Sequence, residues 1–353
     1  MINATAFDAY TGPAREITVD PSRGIIALHN GSTPGGAQFK VDALSTVGAF
    51  TPQGRLSLVS GVAVPTSDVV AATTIYYVPC IGTRVPVWDG AQMALRDINA
   101  GLSVALSATY QVALNQIDWF VFMDGSTLRL GHGPNWIAGT VAGSQFARGT
   151  GAGSTDLELK NGILTNKNSI VLRFGPSAGN TVTVPANQAT YVGSSGNDGT
   201  AGTITDSRKL RLLFNAYNQV ERPVALPGSG ATWTYGTAAF RVLNNDNTQY
   251  VGIFNGLPTY IDLSASVDVV NSSATISAYT LALGLDSTTV VPPAASNGLY
   301  SSWSGVVATL SATYKDTPSI GMHRFYPLEN AASGVAAMWR YFSGYGVRGS
   351  VMI

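Results

Sequence analysis

The sequence contains few charged residues, and this scarcity limits the fold classes that are compatible with it. Of its 353 residues only 11% are charged, whereas an average soluble domain carries roughly 25%. Lys and Glu, which favour helices, number 5 and 4 against 15 Arg and 16 Asp. This scarcity argues against long amphipathic helices, coiled coils and helical bundles. Because hydrophobic residues make up 45% of the chain, a large core can form, which argues against disorder.

Three further absences bear on partners and location. The net charge is zero and no basic run exceeds two residues, so nucleic acid is not expected as a partner, because phosphate binding needs a basic patch. No run approaches about 18 uninterrupted apolar residues, so we expect no membrane insertion. The first residues contain neither a basic nor an apolar segment. We therefore expect no secretory signal, and we expect synthesis in a cytoplasm.

Cysteine and histidine are too few or too dispersed to suggest a reactive centre. Cys80 is the only cysteine, so no intrachain disulfide can form. It lies in an apolar run, and we expect a buried thiol. His29, His132 and His323 are far apart and show no metal-ligand spacing. We predict structural histidines, with no metal and no cofactor.

The first 36 residues carry hairpin signals. Arg15–Asp20 alternates with a period of two, a Pro- and Gly-containing turn follows, and Gly24–His29 forms the returning strand. Asn30-Gly31 is a further turn signal. A module of this size buries little of its own surface. We therefore expect it to self-associate.

The segment Tyr10–Gly36, YTGPAREITVDPSRGIIALHNGSTPGG, resembles the N-terminal module of the phage major tropism determinant and of many phage tail-fibre proteins. The resemblance implies a small β-prism that trimerises and attaches the protein to the virion. Two positions depart from the pattern: Asn30 stands where Asp is usual, and Pro34 lies in a turn that is usually looser. The lectin-like C-terminal domain of that family is not recognisable here, so its receptor-binding residues are not carried over.

The middle of the chain contains short β segments roughly every ten residues, separated by glycine turns, which is typical of sandwiches and barrels. Asp89-Gly90 and Asp124-Gly125 are hairpin signals. Three stretches, residues 55–82, 117–136 and 189–223, also resemble phage virion proteins of the tail-fibre and structural kind. No enzymatic activity is attached to that resemblance.

One helix is predicted, from Ser207 to Asn218, because Leu210, Phe214 and Tyr217 recur at helical spacing behind a capping Asp or Ser. Strand patterns resume at residue 222. The predicted fold is all-β, with a small N-terminal β-prism-like trimerisation module followed by two β-sandwich, jelly-roll-like domains. The predicted domains span residues 1–50, 51–205 and 206–353.

Motifs for catalysis are weak. Gly149–Ser154 superficially resembles a phosphate loop, but no Lys and no helix pattern follows, so we expect a turn. A glycan-cleaving enzyme would need two carboxylates roughly 5–9 Å apart. Candidates are Asp118, Asp124, Asp156 and Glu158, and nothing in the sequence selects a pair. We predict a protein without enzymatic activity.

Aromatic residues are the remaining signal, because Tyr and Trp dominate binding hot spots. Tyr300 and Trp303 follow a loop rich in Pro and Ser, and residues 339–345 combine aromatics with Gly and Ser. We predict a receptor-contacting surface from Tyr300, Trp303, Trp339, Tyr341 and Tyr345. The alternative is that residues 339–345 form a core or interprotomer strand.

The sequence thus predicts a homotrimeric bacteriophage virion protein, a tail fibre or tail appendage for host attachment. The N-terminal module would contact other virion proteins, and the distal domain would contact a host-surface receptor such as a glycan. Two alternatives stay open: a glycan-depolymerising tailspike, and a capsid-attached head fibre or decoration protein.

Overall fold

The structure is a computed structural model that describes residues 4–21, 23–40, 51–136, 147–332, 334–342 and 344–353. In these residues it is nearly all β, since the helical elements there are α1 (Ala4–Ala9) and a 3-10 turn at Leu243–Asn245. The all-β class predicted from the composition is confirmed. The chain divides into two compact units between Phe50 and Thr51, which is also where the sequence places its first boundary.

The N-terminal unit contains a three-stranded antiparallel sheet with the strand order β1 (Ile17–Asp20), β2 (Ile25–Leu28) and β3 (Ala37–Lys40). The predicted hairpin is present, with Ile17 opposite Leu28. Its turn is closed by Asp20, whose carboxylate accepts hydrogen bonds from the backbone N–H of Arg23 at 3.2 Å and from the Nε of Arg23 at 2.6 Å.

The second unit, residues 51–353, is built from 28 strands within the described residues. The first thirteen are β4 Gly54–Ser57, β5 Val69–Ala72, β6 Thr74–Pro79, β7 Arg84–Trp88, β8 Met93–Asp97, β9 Leu102–Ala105, β10 Gln116–Asp124, β11 Thr127–His132, β12 Leu157–Lys160, β13 Ile163–Asn166, β14 Ile170–Arg173, β15 Thr181–Val184 and β16 Ala189–Gly196. The remaining fifteen are β17 Ile204–Asp206, β18 Leu210–Arg211, β19 Leu213–Asn215, β20 Glu221–Pro227, β21 Ala231–Tyr235, β22 Arg241–Val242, β23 Val251–Asn255, β24 Ile261–Asn271, β25 Ser277–Leu285, β26 Ala295–Ser296, β27 Gly298–Ser302, β28 Val307–Asp316, β29 Gly321–Ala331, β30 Ala337–Tyr341 and β31 Gly346–Met352.

Sheet I has the order β12-β13-β16-β10-β11-β14-β15, with β19 paired to β16. Its central strand β10 is buried on both faces. Trp119 and Val121 pack against residues of two small sheets, β4-β6-β9 and β7-β8, while Phe120 and Phe122 pack in a second core on the opposite face. Because successive side chains of a strand point to opposite faces, a continuous apolar run such as this one fills both cores.

Sheets II and III form a sandwich. Sheet II has the order β27-β25-β29-β23-β18-β17-β5, with β22 paired to β29, and sheet III contains β20-β31-β24-β28-β26 together with β21 and β30. One core joins them, with Ile253 and Leu281 from sheet II and Val267 and Trp339 from sheet III. The core lies between the two sheets, as expected for a sandwich.

The second predicted boundary, between residues 205 and 206, falls inside this unit rather than between two units. Strand β5, from the first half, joins sheet II because Ala72 pairs with Ile204. The buried Arg55 guanidinium donates to the backbone oxygens of Asn218 and Ile353, each at 2.7 Å. The two halves therefore share a sheet and hydrogen bonds, and no local sequence pattern predicts either of them.

Two predictions of local structure are wrong. Residues 207–218 hold strands β18 and β19 instead of a helix, because Leu210 pairs with Gly252 in sheet II while Phe214 pairs with Ser194 in sheet I. These long-range ladders override the helical spacing of the apolar residues. Cys80 is exposed, because it follows Pro79, the last residue of β6.

Candidate functional site

Two of the five predicted receptor-contacting residues lie in the core. Trp339 and Tyr341 point inward from β30 between sheets II and III, with relative exposures of 0% and 1%. Met338, which precedes Trp339, and Arg340, which lies between Trp339 and Tyr341, are on the other face of the strand. This burial removes Trp339 and Tyr341 from the receptor-contacting surface, and the tract is the core strand that the alternative described.

Tyr300 and Trp303 lie at the edge of sheet II and differ in exposure. Tyr300 is opposite Tyr279 in the pair β25–β27, is half-buried and packs against the core. Trp303 follows the end of β27, and its side chain is 66% exposed. Of the two, Trp303 is therefore the residue that the fold presents to solvent.

Three exposed aliphatic residues lie close to Trp303 in the fold: Ile276, Val306 and Val307. Ser277 pairs with Ser302, which brings Ile276 beside Trp303 across the strands. Val306 lies in the connection from sheet II to sheet III, and its backbone N–H donates to the Trp303 carbonyl at 3.5 Å. Val307 follows it as the first residue of β28. We call these four residues the Trp303 patch. Sequence reasoning missed the three aliphatic members, although the hydrophobic pair after Gly305 was a signal for two of them, Val306 and Val307.

The loop beneath the patch is fixed by hydrogen bonds. The side chain of Asn271 is buried at the end of β24. Its Oδ1 accepts hydrogen bonds from the Tyr279 hydroxyl at 2.9 Å and from the Ser273 backbone at 2.8 Å, and its Nδ2 donates to the Thr275 carbonyl at 2.8 Å. The backbone N–H of Gly305, a residue with φ of 79°, donates to the Asn271 carbonyl at 2.8 Å. The patch is therefore presented by an ordered turn.

Tyr345 does not join the Trp303 patch. It precedes Gly346, which pairs with Ser266 on β24, whereas Val307 pairs with Val270 four residues further along the same strand. At about 3.3 Å per residue, four residues separate these positions by roughly 13 Å. Tyr345 is half-buried and packs against the sandwich core.

Three of the four candidate carboxylates are held in ion pairs. Asp118 is fully buried, and its Oδ2 accepts from Arg148 Nε at 2.8 Å. The other two contacts are at the surface, Asp124 with Arg129 at 3.4 Å and Asp156 with Lys167 at 3.0 Å. The fourth, Glu158, lies opposite Thr165 in the hairpin β12–β13. Asp118, the one deeply buried carboxylate among the four candidates, is thus held by an ion pair within the fold.

Each histidine is hydrogen-bonded within the fold. His132 Nδ1 contacts the Gly133 carbonyl at 2.7 Å, and its Nε2 contacts the Gln111 side chain. Burial lowers the pKa of His132 to about 4. His323 Nδ1 contacts Asp286 Oδ2 at 2.7 Å, and His29 Nε2 contacts Thr18 Oγ1 at 2.8 Å.

The described part of the chain holds neither a cluster of metal ligands nor a long apolar helix. No group of three or more His, Cys, Asp or Glu side chains suited to holding a metal ion is found in it. None of the helices described there is long and apolar enough to cross a membrane. The loop Gly149–Ser154 is a turn, with positive φ at Gly149, Gly151 and Gly153, and it leads into strand β12.

Comparisons with known proteins give no family. No protein-family model and no curated protein matches the sequence. Among the solved structures that show a faint likeness are two proteins of Bacillus thuringiensis. The functional form of the mosquito-larvicidal Cry4Aa toxin is 8% identical, with a TM-score of 0.18 over 80% of this chain and 49% of that chain. A Cry1Da tryptic core variant is 9% identical, with a TM-score of 0.15 over 80% and 48%. This chain therefore spans about half the length of these two chains, and TM-scores this low carry no argument about its fold or function.

Proposed function

We propose that this protein is a non-catalytic structural component of a bacteriophage virion, in a tail fibre or tail appendage, that contacts the host surface through the Trp303 patch. The observation that supports the proposal is the exposure of Trp303 beside Ile276, Val306 and Val307 on a turn fixed by hydrogen bonds. Exposed apolar clusters of this kind are typical of binding surfaces.

The chemistry of the patch suits a partner with an apolar face, such as a sugar ring or an aromatic side chain. A Trp side chain buries 150–250 Å² when it is covered, in round figures, and it supplies that area with few rotatable bonds. Because Asn271 and Gly305 hold the turn in place, little ordering is required on binding. A preformed surface loses less conformational entropy than a flexible loop would.

Replacing Trp303 by Ala is expected to weaken adsorption to host cells by about tenfold or more, the scale of a hot-spot Trp. The melting temperature should stay unchanged, because the side chain is mostly solvated. The matched control is Leu299→Ala on β27, the strand that Trp303 follows, since Leu299 is 67% exposed against 66% for Trp303 and lies outside the patch. Adsorption is measured with purified protein competing against labelled virions.

The control variant also separates the outcomes. Adsorption that is unchanged in Trp303→Ala, or reduced equally in Leu299→Ala, contradicts the assignment of the patch.

Catalysis is tested separately, by incubating the protein with host envelope polysaccharide. Sustained release of oligosaccharides at substoichiometric protein would favour a tailspike instead. Imaging of virions labelled at the C-terminus distinguishes tail attachment from capsid attachment.

We also propose that the protein is a homotrimer that assembles through its N-terminal unit, which contacts other virion proteins. One face of the sheet β1-β2-β3 exposes Ile17, Val19 and Leu28. Ile17 pairs directly with Leu28, and Val19 lies two residues further on the same face. An exposed apolar face on so small a unit is best buried against further copies of it.

Light scattering at micromolar concentration is expected to give the mass of three chains, and Val19→Lys should shift it towards one chain. A buried, unpaired Lys at an apolar interface is strongly unfavourable. Val70→Lys on β5 is the control, because Val70 is 68% exposed against 59% for Val19. A monomeric native protein, or equal dissociation of both variants, would reject the proposal.

A further inference from the structure

A second feature, which shares no residue with the Trp303 patch, is a cleft of about 360 Å³ beside sheet I. Its wall includes a row of residues across three neighbouring strands, because Arg173 on β14 pairs with His132 on β11 and with Thr181 on β15. Directly paired residues lie on the same face of a sheet. Tyr110 and Asn135 complete the polar and aromatic lining.

The guanidinium of Arg173 is fixed at this cleft. Its Cζ lies 3.3 Å from the centre of the Tyr110 ring, and its Nη1 donates to the Ser177 carbonyl at 2.7 Å. No other hydrogen bond and no ion pair of this side chain occurs among the described residues. A stacked guanidinium with a free edge is preorganised for bidentate binding of a carboxylate.

The other lining groups add no charge of either sign. None of the residues that line the cleft in the described part of the chain is Asp, Glu or Lys. Burial, aided by the nearby charge of Arg173, keeps the pKa of His132 at about 4, so its ring is neutral at pH 7. The cleft therefore presents a single positive charge, and a ligand with a single negative charge matches it.

The remaining contacts favour a ring that bears hydroxyl groups. Thr109 and Thr181, which carry hydroxyl groups, line the cleft, and Pro134 and Val171 add apolar side chains to its wall. Asn135 Oδ1 is buried without a hydrogen-bond partner among the described residues, so this amide can turn towards a ligand without losing a bond at that atom. The volume lies near the lower end of the range of about 300–1,000 Å³ for ligand sites, which suits a single ring.

We propose that this cleft, lined by Tyr110, His132, Asn135, Arg173 and Thr181, binds a sugar acid of one ring, such as a hexuronic acid. The carboxylate contacts the free edge of Arg173, and the ring hydroxyls contact Thr181 and Asn135. This inference does not depend on the Trp303 patch or on the virion assignment, because it concerns a different surface and a small ligand.

Calorimetric titration of the full chain at pH 7 tests the inference with three probes: glucuronate, glucose and acetate. Glucuronate is expected to bind saturably and about tenfold or more tightly than either other probe, because glucose lacks the charge and acetate lacks the ring. Equal binding of glucose would overturn the role of Arg173. Equal binding of acetate would overturn the role of the ring, and no saturable glucuronate binding would overturn the site.

Arg173→Met should weaken glucuronate binding about tenfold or more, because it removes a charge-assisted hydrogen bond while keeping an unbranched apolar stem. The control is Arg129→Met, since Arg129 stacks in a similar way on Phe174 at 4.6 Å but is paired with Asp124. Equal loss in both variants overturns the proposal. If Arg173→Met does not fold, the three probes on the native protein decide, together with a crystal soak that must place glucuronate in this cleft.

Discussion

Replacing Asp118 by Ala is expected to lower the free energy of unfolding by about 3–5 kcal/mol, because it leaves a buried guanidinium without its counter-ion. Arg148 is nine-tenths buried, and its Nε and Nη2 donate to the two carboxylate oxygens of Asp118 at 2.8 and 3.0 Å. Trp136 Nε1 donates to the same carboxylate at 2.9 Å. The Ser194 hydroxyl donates to Asp118 Oδ1 at 2.5 Å as well, so removing the carboxylate leaves the buried donors of Arg148, Trp136 and Ser194 without this acceptor.

This pair also links separate parts of the fold. Arg148 Nη2 donates to the Tyr191 hydroxyl of sheet I at 3.1 Å and to the carbonyl of Gly256, which follows β23 of sheet II, at 2.6 Å. The guanidinium lies 4.5 Å from the centre of the Trp136 ring, a cation–π contact. The loss of stability in Asp118→Ala should therefore be cooperative and affect the whole second unit.

Chemical denaturation with matched variants isolates the effect. Asp124→Ala removes the carboxylate of the surface pair with Arg129, whose N–O distance is 3.4 Å, and it should cost no more than about 1 kcal/mol. The double variant Asp118→Ala/Arg148→Met should recover part of the loss, because it leaves no lone buried charge. An Asp118→Ala protein as stable as Asp124→Ala would refute the prediction.

Replacing Trp339 by Ala should also lower the free energy of unfolding by about 3–5 kcal/mol, through the cavity it creates. The side chain is completely buried in the sandwich core. Its ring meets that of Tyr279 edge to face at 6.3 Å, and on β30 it lies opposite Trp233 and Val269. The sandwich core should therefore loosen around this position.

Trp339→Phe is the informative control, because Nε1 of Trp339 is buried without a hydrogen-bond partner among the described residues. Removing that unsatisfied donor offsets part of the lost ring volume, so the Phe variant should be clearly more stable than the Ala variant. Thermal unfolding and host adsorption are measured together. A stable Trp339→Ala protein with impaired adsorption would show that Trp339 contacts the receptor after all.

Several local elements were predictable because their causes are local. Asp89-Gly90 lies in the connection of the antiparallel pair β7–β8, and Asp124-Gly125 spans the end of β10 and the start of its connection to β11. Positive φ at the second residue of such a turn suits Gly, and both Gly90 and Gly125 adopt it. The alternation of Ile17–Asp20 likewise predicted strand β1. In these cases the turn and the pairing partner lie within a few residues of each other.

Exposure of aromatic residues was not predictable in this way. Trp303 and Trp339 stand in similar tracts of Gly, Ser and aromatic residues, yet one is solvated and the other fully buried. What separates them is whether the strand faces the opposite sheet, which depends on the pairing of β30 with β24. The cleft at Arg173 has the same origin, since residues 132, 173 and 181 meet only through the register of three strands.

The sequence by itself determined the all-β class, through its scarcity of Glu and Lys and its regular glycine turns, because these act on each segment independently. Only the tertiary structure decided that Leu210 and Phe214 lie in strands of two different sheets, and that Asp118 pairs with Arg148 in the interior. Those outcomes depend on residues 20 or more positions away along the chain, which supply hydrogen-bond partners and exclude water. A local sequence pattern determines which secondary structure a segment favours, whereas burial against distant strands determines which secondary structure it adopts.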